Sequence, residues 1–449
     1  MSYRSMSYRS NFPHRIFFLG CTLLIGSITA SAATLCVNPA GKPTQGLPCK
    51  STIAAAVAAA SAGDTILIEP GTYKEQVTIT KPLSIGAVPL SHVVIDAAGK
   101  SNGIFINGLW ATPNPGIANV VVTGLEVENA NYEGILVVNA TNVSLVDNHV
   151  HDNNKKLEPS SAMCPGIAPF ETSEAMDCGE GIHLMAVDHS NITRNLVEDN
   201  SGGILITDET GPTWNNTVSG NIVRNNGYAC GITMASHPAA NASGPIMAVD
   251  YGIMHNVISK NQSYHNGLSL PGAGAGVGIF APGPGATNTG NVVIGNDLHD
   301  NGLPGVTMHN HAIVPNAPPI FFNDNSIIGN HIHGNAADTA DAATPGTTGI
   351  NVFSKAPMTG TVISQNTFDD EAVDIVFNAP AGSSLIAHFN DFSNHEIGVD
   401  NLGSGAVDAT ENWWNSFNGP GPHAVTTTGP NVITMPYLLV PFDINLDGY

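Results

Sequence analysis

Charge is what this sequence has least of. Asp, Glu, Lys and Arg make up 11% of its 449 residues, well below the roughly 25% of an average soluble domain. Basic residues are scarcest: after Arg15 the arginines are Arg194 and Arg224, and the formal net charge is −22. Such acidity repels nucleic-acid phosphates and anionic lipid, so no nucleic acid is expected as a partner. Beyond the N-terminus no apolar run is long enough to cross a bilayer, so no membrane insertion is expected. No Cys-x-x-Cys pair occurs, which disfavours a cysteine zinc site.

What the chain does have begins with an export pattern. "MSYRSMSYRSNFPHR" is basic, "IFFLGCTLLIGSITA" is apolar, and "ASA" at Ala30–Ala32 offers small residues for cleavage. We expect a signal peptide over residues 1–32 and a secreted or periplasmic protein, with the repeated "MSYRS" as two alternative starts. Cys21 inside the apolar run leaves a lipid-anchored form as the lesser alternative. Five cysteines follow. Cys36 with Cys49 and Cys164 with Cys178 each bracket a short loop, and export makes two local disulfides the expectation. Cys230 is then left as a small buried hydrophobe.

The chain also repeats itself. "NVVIGNDLHDNG" (Asn291–Gly302) and "NSIIGNHIHGN" (Asn325–Asn335) share Asn-x-apolar-x-x-Asn, and similar lines recur as "SLVDNHVHDN", "NITRNLVEDN", "NTVSGNIVRNN", "NVISKNQSYHN" and "TVISQNTFDDE". The key asparagines are Asn148, Asn195, Asn221, Asn261, Asn296, Asn330, Asn366, Asn390 and Asn412. A second Asn follows five residues on, at Asn153, Asn200, Asn226, Asn266, Asn301 and Asn335. A second strand follows each line, usually opening Gly-Ile: "EGILVV", "EGIHLM", "GGILIT", "CGITMA", "VGIFAP", "PGVTMH", "TGINVF". The shortest intervals set a bare coil at about two dozen residues, and the alternating apolar positions mean strands rather than helices. Asn tolerates left-handed turns and can stack its amide from coil to coil. The fold class expected is all-β, a single-stranded parallel β-helix over residues 33–442, with a polar tail at 443–449.

The ends fit such a stack. "STIAAAVAAASAG" opens on Ser/Thr and is Ala-rich, a short helix suited to capping the N-terminal end. "ATENWWNSFNGPGP" places two tryptophans after Asn412 to close the last coil. Together, "TIAAAVAAASAGDTILIEPGTYKEQVTI", the Asn ladders and "NWW" resemble right-handed parallel β-helix proteins of the pectin-lyase-like superfamily, especially its NosD-like branch. The resemblance covers nearly all of the chain after the leader. It implies the right-handed fold and leaves function open, because lyases, hydrolases, epimerases, binding proteins and accessory proteins share it.

Residues beyond the bare coil enter in two places. They precede the Gly-Ile strand at 154–180, 267–277 and 336–348, and follow it at 235–255 and 309–324. We expect these loops to flank the stacked Gly-Ile strands, whose outer face becomes a groove floor. Alternation then puts His183, Leu205, Thr233, Phe280, Thr307 and Asn351 outward, followed by Met185, Thr207, Ala235, Pro282, His309 and Phe353. Asp208, Glu209, His237, Asn310, His311 and Lys355 lie near the strand ends. A second outward row holds His151, Glu198, Arg224, Tyr264, His299, His333 and Asp369, more simply a polar exterior than a weak metal site.

Long polymers suit long grooves, so the partner expected is a polysaccharide. The catalytic candidates are Asp208 and Glu209 as acid and base of a hydrolase, or His237, His309 and His311 as proton abstractors of a lyase or epimerase. Asp250 is a further carboxylate candidate. The substrate-binding candidates are His183, Thr207, Thr233, Phe280, Thr307, Asn310, Asn351 and Lys355. The acidity of the chain makes polyuronates a poor fit without added cations. No metal ligand set is assigned, and calcium and copper are the cofactors left open. A metal reading rests on His237, His309 and His311, whose His-x-His points two rings to one face and suits Cu²⁺ or Zn²⁺; the NosD-like resemblance implies copper and a non-catalytic accessory protein as the alternative. Calcium follows from "DINLDG" (Asp443–Gly448), half of an EF-hand-type loop. A monomer is expected.

Overall fold

Short alternating strands cannot bury one face alone, so they must stack on copies of themselves. The computed structural model shows that stack. It describes residues 32–44, 46–109, 116–157, 179–236, 251–311, 313, 315–339, 344–393 and 396–442. The leader, Cys164, Cys178, His237, Asp250 and the 443–449 tail lie outside the described residues.

Among the described residues, thirty-nine strands fall into a 29-stranded and a 10-stranded sheet, and their pairings are parallel. Most coils lay one strand in each of three rows. The first is the Gly-Ile row, running from Val77–Ile79 to Thr426–Thr428. The second runs from Thr34–Val37 to Val432–Ile433. The third, from Gly71–Tyr73 to Thr367–Asp369, is the 10-stranded sheet. The twelve-residue strand Ile135–Val146 spans the first two rows, which joins them. This is a parallel β-helix, as expected.

The core is a set of in-register columns. Val127, Val150, Val197, Val223, Ser263, Leu298, Ile332 and Phe368 stack in one of them and are all buried. Ser263 belongs there because its hydroxyl donates to Gly276 O at 2.8 Å, so no polar atom is stranded.

The asparagines form the corners. From Asn148 through Asn390, each key Asn donates its backbone N–H and its side-chain amide to the Oδ1 of the next, at 2.8–3.0 Å. The second column does the same from Asn153 to Asn335, which ends on Glu371 Oε1. The Asn that opens each line stacks as well, through Asn216, Asn256, Asn291 and Asn325. The left-handed turn expected of Asn belongs instead to the residue before it. Asp147, Arg194, Lys260, Gln365, Phe389 and Glu411 have φ of 54–60°, and Gly220, Gly295 and Gly329 fill the same place on other coils. The turn aims the Asn amide inward along the stack, and the amide bonds offset the steric cost of the turn.

The recurring Gly before Ile has a different cause. A Cβ at Gly203 would stand 2.1 Å from Gly231 O on the next coil, so only glycine admits that approach.

Both ends are covered. Helix Ile53–Ala59 buries Ile53, Ala56 and Val57; Thr52 Oγ1 accepts from Ala55 N, and the Glu75 carboxylate accepts from Ile53 N and Ala54 N. These acceptors satisfy the donors that open a helix. At the other end Trp414 is fully buried against Phe392, while Trp413 is half-buried. Cys36 and Cys49 form the expected disulfide. Cys230 is buried and accepts from Ala275 N–H. No helix among the described residues is long and apolar enough to cross a membrane.

Candidate functional site

The outer face of the Gly-Ile row carries the chemistry. Ile182, Ile204, Ile232, Val277, Val306 and Ile350 are in register and point to the core. The next position outward holds His183, Leu205, Thr233, Gly278, Thr307 and Asn351. The third holds Met185, Thr207, Ala235, Phe280, His309 and Phe353. Phe280 was expected one place earlier and Pro282 in its stead. The working pair is Gly276-Val277 rather than Gly278-Ile279, and a slip of two keeps Phe280 on the same face.

The floor is not the open groove expected. His183, Leu205, Thr207, Thr233, Thr307, His309 and Asn351 are each at most 9% exposed. Part of the cover is visible: Asp338, from the 336–348 insertion, lies over His309 and Asn351. Solvent is reached at Phe280, which is half-buried, and at His311 and Lys355, which are exposed. Asn310 is fully buried, and alternation turns it to the face opposite His309, so it belongs to the corner of the coil rather than to the floor.

The candidate residues form three groups. In the first, His183 Nε2 sits 2.8 Å from Thr207 Oγ1. Glu133 and Glu180, which each precede the Gly-Ile pair of their coil and were not among the sequence candidates, lie beside it. The signal was the repeated "EGI". In the second, Asp208 Oδ2 accepts from Ser236 Oγ at 3.0 Å and Gly252 N at 2.7 Å. This ties two chain segments together and is a structural duty. Glu209 is buried next to it.

The third group is the most reactive in character. His309 Nε2 stands 3.0 Å from Asp338 Oδ2, 2.8 Å from Thr307 Oγ1 and 2.9 Å from Asn351 Nδ2. Protonated, that nitrogen donates to Asp338; deprotonated, it accepts from the hydroxyl or the amide. Bonded to protein groups in either state, this nitrogen fixes the orientation of the ring. Its ring contacts Phe280 at 5.7 Å, His311 at 5.2 Å and Phe353 at 5.9 Å between centroids. Lys355 Nζ lies 5.0 Å over the Phe353 ring. From there a cleft of 460 Å³ opens, lined by Phe353, Ser354, Lys355, Asn378, Ala379, Pro380 and Leu402–Ser404. Asp338 escaped sequence reasoning because it comes from an insertion without repeat phase.

The second outward row is as expected. Glu198, Arg224, Tyr264, His299, His333 and Asp369 are in register on the 10-stranded sheet. Tyr264, His299 and His333 stack ring on ring at 4.7 and 4.6 Å. Burial, together with the neighbouring His331 and His299, holds His333 below the usual imidazole range. Arg194 pairs with Asp147 and Arg224 with Glu198, away from the Gly-Ile row.

Known proteins resemble this chain in fold. Residues 97–246 match the family described as a right handed beta helix region. With the parallel rows described above, that match gives the fold as a right-handed parallel β-helix. No curated protein matches the chain. Among solved structures it resembles the A-module of mannuronan C-5 epimerase AlgE4 from Azotobacter vinelandii, at 13% identity over 85% of this chain and 93% of that one, with a TM-score of 0.46. It also resembles the DFA-IIIase of Arthrobacter chlorophenolicus A6 without its lid, at 14% identity over 84% and 89%, TM-score 0.44. A third is PfbA, a surface adhesin of Streptococcus pneumoniae, at 11% identity over 86% of each chain, TM-score 0.48.

Proposed function

We propose that this protein binds and processes a polysaccharide at the His309 end of the Gly-Ile sheet, by proton transfer rather than by paired-carboxylate hydrolysis. The observation that carries the reading is the contact series from Asp338 through His309 to His311, Phe353 and Lys355, ending at the cleft beside Phe353. Aromatic faces suit sugar rings, and an imidazole held by a carboxylate suits removal of a C–H proton beside a carboxyl group. Lys355 supplies a positive charge there and makes no ion pair among the described residues. Hydrolysis calls for two carboxyl groups facing one sugar, whereas Asp208 is occupied with Ser236 and Gly252.

The test is a panel of neutral and acidic polysaccharides, with and without Ca²⁺, incubated with wild type, His309→Ala and His311→Ala and read by mass spectrometry and NMR. Unsaturated or epimerised product from wild type, lowered about 10²-fold or more in the His309 variant, supports the reading. No binding and no product across the panel contradicts it and favours a non-catalytic accessory role.

A further inference from the structure

Two buried carboxylates lie side by side next to a buried histidine. Glu133 and Glu180 occupy the same place on adjacent coils, one residue before Gly134 and Gly181, and Gly134 N donates to Glu180 O. Both are buried, at 0% and 2% exposure, and His183 beside them is at 1%. One ligand atom from each lies within 4.8 Å of the other two. The surroundings are dry: Phe105, Leu136, Val138 and Met185 form a separate apolar cluster on the same outer face, and Leu136 pairs directly with His183.

The decisive detail is which atoms lack partners. Glu133 Oε1 and His183 Nδ1 are both buried without a hydrogen-bond partner, and they face each other at 3.9 Å. Their other atoms are held. His183 Nε2 bonds to Thr207 Oγ1 at 2.8 Å. Glu133 Oε2 accepts from the Asn102 amide at 2.7 Å in the orientation that satisfies both Asn102 side-chain atoms. A ring whose Nε2–H is held by an outer oxygen turns its Nδ1 lone pair inward, as metal-ligating histidines do. Leaving a carboxylate oxygen and an imidazole nitrogen both unmet in an apolar setting is costly, and a cation at their meeting point removes that cost.

We propose that Glu133, Glu180 and His183 bind a divalent transition-metal ion of the Zn²⁺ class. Two carboxylates and one imidazole suit Zn²⁺ or Mn²⁺, while the nitrogen donor and the small number of oxygens disfavour Ca²⁺. Three protein ligands leave a coordination position open. The site lies four strands from His309 along the Gly-Ile row and is independent of the proposed saccharide chemistry.

The surface carries two competing clusters, Glu126 with His149 and His151, and Asp297 with His299 and His333, so the test must separate them from the buried one. Full-length protein is stripped with chelator, loaded with excess Zn²⁺, dialysed and assayed for metal per chain. The same is done for Glu133→Gln/Glu180→Gln, for His183→Gln and for His151→Gln/His299→Gln/His333→Gln. One retained ion in wild type and in the triple variant, but none in the other two, is expected. Retention lost with the surface variant, or no retained ion in wild type, overturns the proposal. Should the glutamine variants fail to fold, the melting temperature of wild type decides: it must rise with Zn²⁺ concentration, and rise equally in the surface variant. A flat response in wild type overturns the proposal.

Discussion

Asn330→Ala tests the corner ladder where its bonding is complete. Asn330 Oδ1 accepts from Asn296 N and Asn296 Nδ2, both at 2.9 Å, and its own amide donates to Val293 O and Asn366 Oδ1 at 3.0 Å. Alanine orphans the Asn296 backbone N–H in a fully buried place. It leaves the Asn296 amide half-satisfied, since that group still donates to Ile258 O. An orphaned buried donor costs roughly 1–3 kcal/mol, so a loss of about 3 kcal/mol is expected. The Asn366 side-chain oxygen keeps a donor, the Asn330 backbone N–H, so the damage points toward Asn296. Urea unfolding followed by circular dichroism measures the total. Amide hydrogen exchange locates it, with protection falling at Asn296 and its neighbours first. A loss below about 1 kcal/mol, with Asn296 still protected, would show that the ladder is ornament rather than support.

Other perturbations test other parts of the coil. Lys260 is exposed with φ of 55°, where adjacent coils carry Gly220 and Gly295; Lys260→Gly should raise stability by about 0.5 kcal/mol, read as a higher melting temperature. Burial pushes the Glu371 carboxyl up to about 8 from its ordinary 4.5. Between those values the folded state holds the extra proton, so this group's contribution to stability is fully present below about pH 4.5 and is lost as pH rises through about 8. Glu371→Gln keeps an acceptor for Asn335 and should flatten that slope in pH-dependent melts, and an unchanged slope would count against the burial argument. Asp374, pushed up by its own burial and by Glu371, contributes in the same direction. Asp338→Asn should lower turnover of any processed glycan while leaving glycan affinity nearly unchanged, because Asp338 touches His309 rather than the cleft.

The fold was legible because the repeat writes its geometry in residue types. Asn at a five-residue spacing marked two corners, Gly-Ile marked the first row, and alternation assigned the faces correctly even where the frame slipped at Phe280. The Asn-before-turn relation was not legible, because Asp147, Lys260, Gln365 and Phe389 share a backbone conformation but no chemistry. The site was legible only in part. His183 with Thr207, and Thr307 with His309 and Asn351, share strand phase and were found together. Glu133, Glu180 and Asp338 were missed, since two lie two residues before their strands and one sits in an insertion. Burial was misjudged for a related reason: strand phase says which way a side chain points, not what covers it. The NosD-like assignment stays an expectation of the sequence.

The most direct test of proton transfer at His309 is the isotope content of the product. Wild-type protein and His309→Ala would be incubated with the polysaccharide panel in D₂O and, separately, in H₂¹⁸O. The account predicts either an unsaturated product or deuterium at an inverted carbon, with no ¹⁸O in the cleaved or rearranged sugar, and loss of that product in the variant. Incorporation of ¹⁸O at a new reducing end, undiminished in the variant, would contradict it and return the hydrolytic carboxylates to the centre.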